Sequence, residues 1–513
     1  MNTPSVTRLT TARSRRLVSR SSAIGALLRL PAFAALLVVA TPPGAAQVPT
    51  PLGEEFLVNT TTEHDQRIAT VALDSGGGFV VAWQGSRVDW QGMAYYDVYG
   101  RRFSAGGAPQ GAEFRVNTTL GYRRNPQVSM NQAGASLFIW WGEDTYARMY
   151  QAGGTAVGGE SVVESSPLGQ LHPVGAIGAD GRFVSVWAVY DGGSQRIAAR
   201  QFSGTGVPAA DAFWVTTQPT TGMRDHPQAA VDAGGNVAVV WRDYAADGSN
   251  QTINARLYTA SGTPRGPVFR VDEDAGGKWA PRVTYVDGDL VFAWISYATG
   301  RSGVYARRYS ASGDPQGVAF QVDTATPSGV SLSTFAVSPS GTFVVAGTST
   351  NARLMAQAYS AEGHPEGDAF QVNGATGSPV REPAVAENAR GDIIVVWESA
   401  GQDGSGYGVY ARQYQRITAA TETEPASRLA LSVTPSPVDG AGGRVRYAVP
   451  DAGPVHVSLY DALGREVAVL IDGVVAAGEH EASLDGAGLA PGVYVLRLAA
   501  GAETLTHRLT VVR

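Results

Sequence analysis

The chain has 513 residues, 44% of them hydrophobic and 16% charged, with 63 glycines, 28 prolines and no cysteine. That profile excludes a disordered chain, a disulfide framework, a zinc–thiolate site and a cysteine nucleophile. A formal charge of -6 argues against nucleic acid as a partner, and the length calls for two or more units.

Residues 1–46 read as a secretory signal peptide. Arg8, Arg13, Arg15, Arg16 and Arg20 make a positive region, residues 30–40 are a short apolar core, and the small residues Gly44 and Ala46 stand three and one positions before a cut at Gln47. No stretch is long and apolar enough for a transmembrane anchor. The mature protein is therefore expected outside the cytoplasm.

Residues 52–416 repeat four short segments in fixed order. The first often opens on proline, as in "PQVSM" at Pro126 and "PQAAV" at Pro227. The second is a hydrophobic run ending at Trp83, Trp141, Trp187, Trp241, Trp294 and Trp397, with Gly347 in the same slot of another copy. The third resembles "VYARRY" and the fourth "FQVN". Each is rich in Val, Phe, Tyr and Trp, as strands are. A period of roughly 50 residues with four strands per unit predicts a β-propeller, one sheet per blade.

The second and third segments each occur seven times, whereas only six copies of the fourth follow their third segment. The remaining copy, "FLVN" at residues 56–59, precedes every other strand. The last blade's missing strand is thus supplied by the N-terminus. This predicts an all-β chain: a seven-bladed β-propeller closed by its N-terminal strand, followed by a small Ig-like β-sandwich.

A polar linker at residues 417–427 separates the repeats from residues 428–513, where alternating runs such as "VHVSLY" lie between Gly, Pro and Asp turns. The distinguishing residues are Pro435 and Pro437 in "TPSP", and Tyr460, Asp461, Gly464 and Arg465 in "YDALGREV". Gly492, Tyr494 and Gly501 follow in "PGVYVLRLAAG", and Arg508 lies in a basic close. This tail resembles the type A C-terminal sorting domain of the type IX secretion system. Ser436 replaces the family's usual Asn, and arginines replace its terminal lysines. The resemblance implies a β-sandwich that addresses the chain to the type IX machinery for passage across the outer membrane. Cleavage and release, or attachment to the cell surface, would then follow.

No HExxH, GxSxG or GxxxxGK occurs, so no catalytic residue is assigned. Arg101, Arg148, Arg200, Arg256, Arg307 and Arg412 fill one slot in six copies, which predicts a repeated structural role. Binding residues are expected where the repeat breaks, on the face carrying the variable loops. There Tyr190, Tyr244 and Tyr297 each follow a slot tryptophan by three residues. His172, His226, Arg224, Asp225 and Trp279 lie in neighbouring loops. Aromatic platforms with a few polar groups suit sugar rings, so a glycan is the expected ligand, with a protein ligand beside it.

The alternative is a secreted glycan hydrolase or lyase using acids such as Asp65, Asp225 or Glu382. A purely structural surface component is a third reading. Residues 245–250 and 402–408 could hold calcium, but each offers a single acidic residue, and an ordinary Asp-Gly turn is the favoured reading. No cofactor is expected.

Overall fold

The computed structural model describes residues 48–512 except 89–93, 166–167, 217–221, 324–329, 350–351, 375–376, 417–428, 440–441, 451–452, 476–477, 485–487 and 502. The signal peptide and the linker lie outside the described residues. No helix occurs among those described; the architecture is all-β.

The repeats fold as separate antiparallel sheets whose strands pair in chain order. The first comprises Gln66–Leu73, Phe79–Val88, Ala94–Phe103 and Phe114–Arg115. The second to sixth span residues 124–164, 169–214, 223–270, 278–321 and 330–371. The seventh takes three strands from residues 380–415 and is completed by Thr50–Pro51 and Phe56–Leu57, which pair with Tyr407–Gln415.

Second strands are apolar almost throughout because both their faces are covered. Phe183–Tyr190, for example, is buried at every residue but its last. Trp83, Trp140, Trp187, Trp241, Trp294 and Trp397 are all buried there. The slot residue of the second sheet is thus Trp140 rather than Trp141. Its ring stacks on Tyr146 as Trp83 does on Tyr99 and Trp294 on Tyr305. Of two adjacent tryptophans only one can face the core, and the pleat selects Trp140.

No hydrogen-bonded sheet closes on itself; neighbours join through side chains. Each pair of sheets consecutive in the chain shares one apolar cluster. A further cluster joins the seventh sheet to the first, combining Val58, Ile394 and Val396 with Val71, Phe79 and Trp83.

The repeated arginines fasten the same joins. Nη1 of Arg101, Arg148, Arg200, Arg256, Arg307 and Arg412 donates to the carbonyls of Val58, Val116, Val163, Val215, Val271 and Val372, each in the preceding sheet's outer segment. Each guanidinium also packs on an aromatic ring two residues along its own strand, as Arg256 does on Tyr258 at 5.6 Å. Gln357 is too short for this and bonds Gly367 within its own sheet.

Turns between first and second strands are closed locally. Asp74 Oδ1 accepts from the amides of Gly76 and Gly78 at 2.8 and 2.9 Å, and Gly77 between them takes a φ of 87° that favours glycine.

Residues 430–511 form seven linked strands around a separate core that includes Val445, Val457, Leu459, Leu496 and Leu498. The strand Ala430–Asp439 changes partner along its length. It pairs antiparallel with Gly442–Val449, then parallel with the last strand at Val438 and Val511.

Replacing Arg256 by Met keeps the packed stem and removes the charge-assisted bond. Urea unfolding should show a loss of about 1.5–3 kcal/mol. A loss below about 0.5 kcal/mol, the range of ordinary surface changes, would mean these arginines do not fasten the sheets.

Candidate functional site

The first strand of every sheet slips register once, between Arg67 and Thr70, Arg124 and Gln127, Leu171 and Val174, Asp225 and Gln228, Trp279 and Arg282, Leu332 and Thr334, and Arg381 and Ala384. These are β-bulges, and they explain the recurrent proline. A residue without an N–H is tolerated where the ladder is already interrupted.

At six of the bulges a non-glycine residue adopts a left-handed backbone: Ile68, Asn125, His172, His226, Ala280 and Glu382, with φ between 45° and 54°. Such residues carry strain and persist only when their surroundings impose it. Ile68, the β-branched case, is held by its amide donating to the buried Glu398 carboxylate at 2.6 Å. All six line one cavity of about 420 Å³, to which the first strands of all seven sheets contribute.

On one side of this cavity the rings of His172 and His226 stack at 4.4 Å, and His226 meets Trp279 at 4.2 Å. Behind them Arg242 donates Nε and Nη2 to Asp225 at 2.8 and 2.6 Å, and lies 4.2 Å from the Trp279 ring and 4.6 Å from Tyr244. The Tyr244 hydroxyl donates to Asp225 at 3.1 Å, and Nδ1 of His226 lies 3.0 Å from its other oxygen.

Burial alone would raise the Asp225 carboxyl, but the adjacent His226 ring and the bonds from Arg242 outweigh it and hold the group well below its ordinary range. Burial, and then the neighbouring His226, lower His172 from 6.5 to about 4, with Asp225 opposing and Arg242 assisting. Although solvent reaches His172 from the cavity, its concave surroundings disfavour the charged ring.

The structure therefore brings His172, His226, Asp225, Trp279 and Tyr244 together. Arg224 turns away to Asp243 at 2.9 Å. Tyr190 and Tyr297 are exposed, 40% and 56%, with no ring or hydroxyl partner among the described residues. Tyr244, by contrast, is engaged through its hydroxyl, so the three tyrosines are not equivalent.

Of the candidate acids, Glu382 alone lines the cavity; Asp225 is paired with Arg242, and Asp65 accepts from the Tyr407 amide at 3.1 Å. No group of three His, Asp or Glu side chains suited to a metal occurs among the described residues. Arg242 and Arg282 were missed by sequence reasoning. The available signal was that each departs from the neutral residues common in its slot of the repeat.

In the C-terminal strands Asp461 Oδ1 accepts from the amides of Leu463 and Arg465, its other oxygen pairs with the Arg465 side chain, and Gly464 has a φ of 77°. Tyr460 bonds Glu466, and Tyr494 bonds the Ala490 carbonyl. These motif residues build turns. Residues 434–512 match the family described as secretion system C-terminal sorting domain.

This segment is a type IX sorting domain. The sorting domain marks the chain for export to the outer surface or beyond. No curated protein matches the chain. Among solved structures it is similar to a Dyadobacter fermentans protein of unknown function, at 12% identity over 73% of this chain and 100% of the other, TM-score 0.40. It is also similar to the polysaccharide lyase Uly1, at 9% over 70% and 93%, TM-score 0.45. PorZ, a surface component of the type IX secretion system of Porphyromonas gingivalis, aligns at 12% over 88% and 70%, TM-score 0.32.

The unfolded chain takes up a proton on His172 as pH falls below about 6.5, while the folded chain resists until about 4. This histidine therefore costs stability across that window. The melting temperature of the wild type should fall there more steeply than that of His172→Asn; parallel curves would refute the shift.

Proposed function

We propose that the chain is an exported, non-catalytic glycan-binding protein, a seven-bladed propeller closed by its N-terminal strand. In this reading the His172–His226–Trp279 stack at the mouth of the axial cavity holds the sugar. The chain's seven consecutive sheets, with Val58 at the join between last and first, support the closed ring. The C-terminal strands form the sandwich that carries the address.

The observation that carries the binding reading is the aromatic stack beside an open cavity. Trp279 is 38% exposed and is oriented by a guanidinium that a buried carboxylate fixes. Sugar C–H faces pack on such rings while hydroxyls bond imidazole nitrogens and the Asn125 and Glu382 side chains. Tyr190 and Tyr297 extend the platform outward. Glu382 is the one carboxylate lining the cavity among the described residues, which does not favour paired-carboxylate hydrolysis. A protein ligand on the same face remains the outcome if sugars fail.

The mature chain should bind a subset of a glycan array, and Trp279→Ala should weaken that binding by at least about tenfold, as truncating an aromatic anchor does. Unchanged binding by a folded Trp279→Ala/Tyr190→Ala variant would sink this site. Cells making a chain without residues 428–513 should retain it inside the outer membrane. Undiminished surface or medium protein would refute the address.

A further inference from the structure

Immediately below the bulges, one register position of the seven first strands forms a second level of the cavity. It is occupied by Thr70, Gln127, Val174, Gln228, Arg282, Thr334 and Ala384, all of which line the cavity. Six are neutral and one is a cation.

Among the described residues the Arg282 guanidinium makes one hydrogen bond, from Nη1 to the Pro281 carbonyl at 3.1 Å, and it stands 5.8 Å from the Phe335 ring. It has no ion-pair partner among the described residues, whereas Arg242, Arg67 and Arg416 reach Asp225, Glu398 and Glu387. Burial pushes its pKa down to about 10 with no carboxylate opposing, so it stays charged at neutral pH. Arg282 is half-buried in the cavity wall, and a partly desolvated charge without a counter-charge gains when an anion is brought to it. A guanidinium binds carboxylate and sulfate groups through paired N–H donors.

We propose that Arg282 makes the cavity an anion site and that the ligand is an acidic saccharide whose carboxylate or sulfate group reaches this guanidinium. Gln127 and Gln228 supply amide donors at the same level. This rests on reading the mouth as a glycan site, and it adds that charge selects the glycan.

Calorimetry on the mature full chain would compare an oligoglucuronate with its carboxyl-reduced counterpart, alongside sodium glucuronate and inorganic sulfate. The wild type should prefer the acidic oligomer by at least about tenfold, the worth of a hydrogen-bonded charge. Arg282→Gln should lose that preference while melting no lower than the wild type in anion-free buffer, and Arg282→Lys should keep part of it. Glucuronate against sulfate tells which anion the site takes.

Equal binding of both oligomers by the wild type would overturn the inference and leave the glycan reading standing. Binding of the small anions alone, lost in Arg282→Gln, would keep the anion site and overturn the saccharide. No response to any anion, or marked destabilisation of Arg282→Gln, would overturn the anion site itself.

Discussion

A four-stranded sheet with apolar residues on both faces cannot cover either face alone, and no helix among the described residues does it for the seven repeats. Each sheet is stable only against its neighbours. At six of the seven joins a guanidinium-to-carbonyl bond ties the third strand of one sheet to the outer segment of the one before. Because Val58 precedes every repeat, Arg101 ties the first sheet to a segment paired with the last. The join that lacks this bond, where Gln357 replaces arginine, has Arg308 donating to the Ala361 carbonyl at 2.7 Å instead.

With the outer parts fastened in this way, the inner strands can carry strain. The bulges alter chemistry as well as shape. Counting back from Gln228, which faces Val240, an unbroken ladder would set Asp225 opposite Asp243, two like charges. The one-residue slip sets Asp225 opposite Arg242 and Arg224 opposite Asp243. Two cross-strand ion pairs replace a repulsion, and the first orients Trp279. The binding surface proposed for the mouth is thus a consequence of the bulge.

This also marks how far the sequence could be read. The repeat, its all-β character, the displaced N-terminal strand and the structural role of the slot arginines were legible because each recurs. The sorting domain was legible because its turn residues, Asp461 and Gly464 among them, are dictated by local geometry. Trp140 and Trp141 cannot be told apart by sequence because two adjacent tryptophans share one composition and differ only in facing. Proline announced the bulges without revealing the left-handed residue before it. Arg242 and Arg282 stood out only as departures from mostly neutral slots, and their meaning depends on what lies opposite them: the Asp225 carboxylate for one, Ala293 for the other.

The sorting domain gives the chain a destination, and the cavity mouth gives it a surface on which a ligand would rest. Hydrogen–deuterium exchange of the mature chain, with and without an oligoglucuronate, tests that union most directly. The account predicts slowed exchange in Gly169–Ile177, Met223–Val231 and Lys278–Val286, the bulged strands that carry the histidines, Trp279 and Arg282. Protection confined to the turns at the opposite ends of those strands, or to the outer strands, would contradict it.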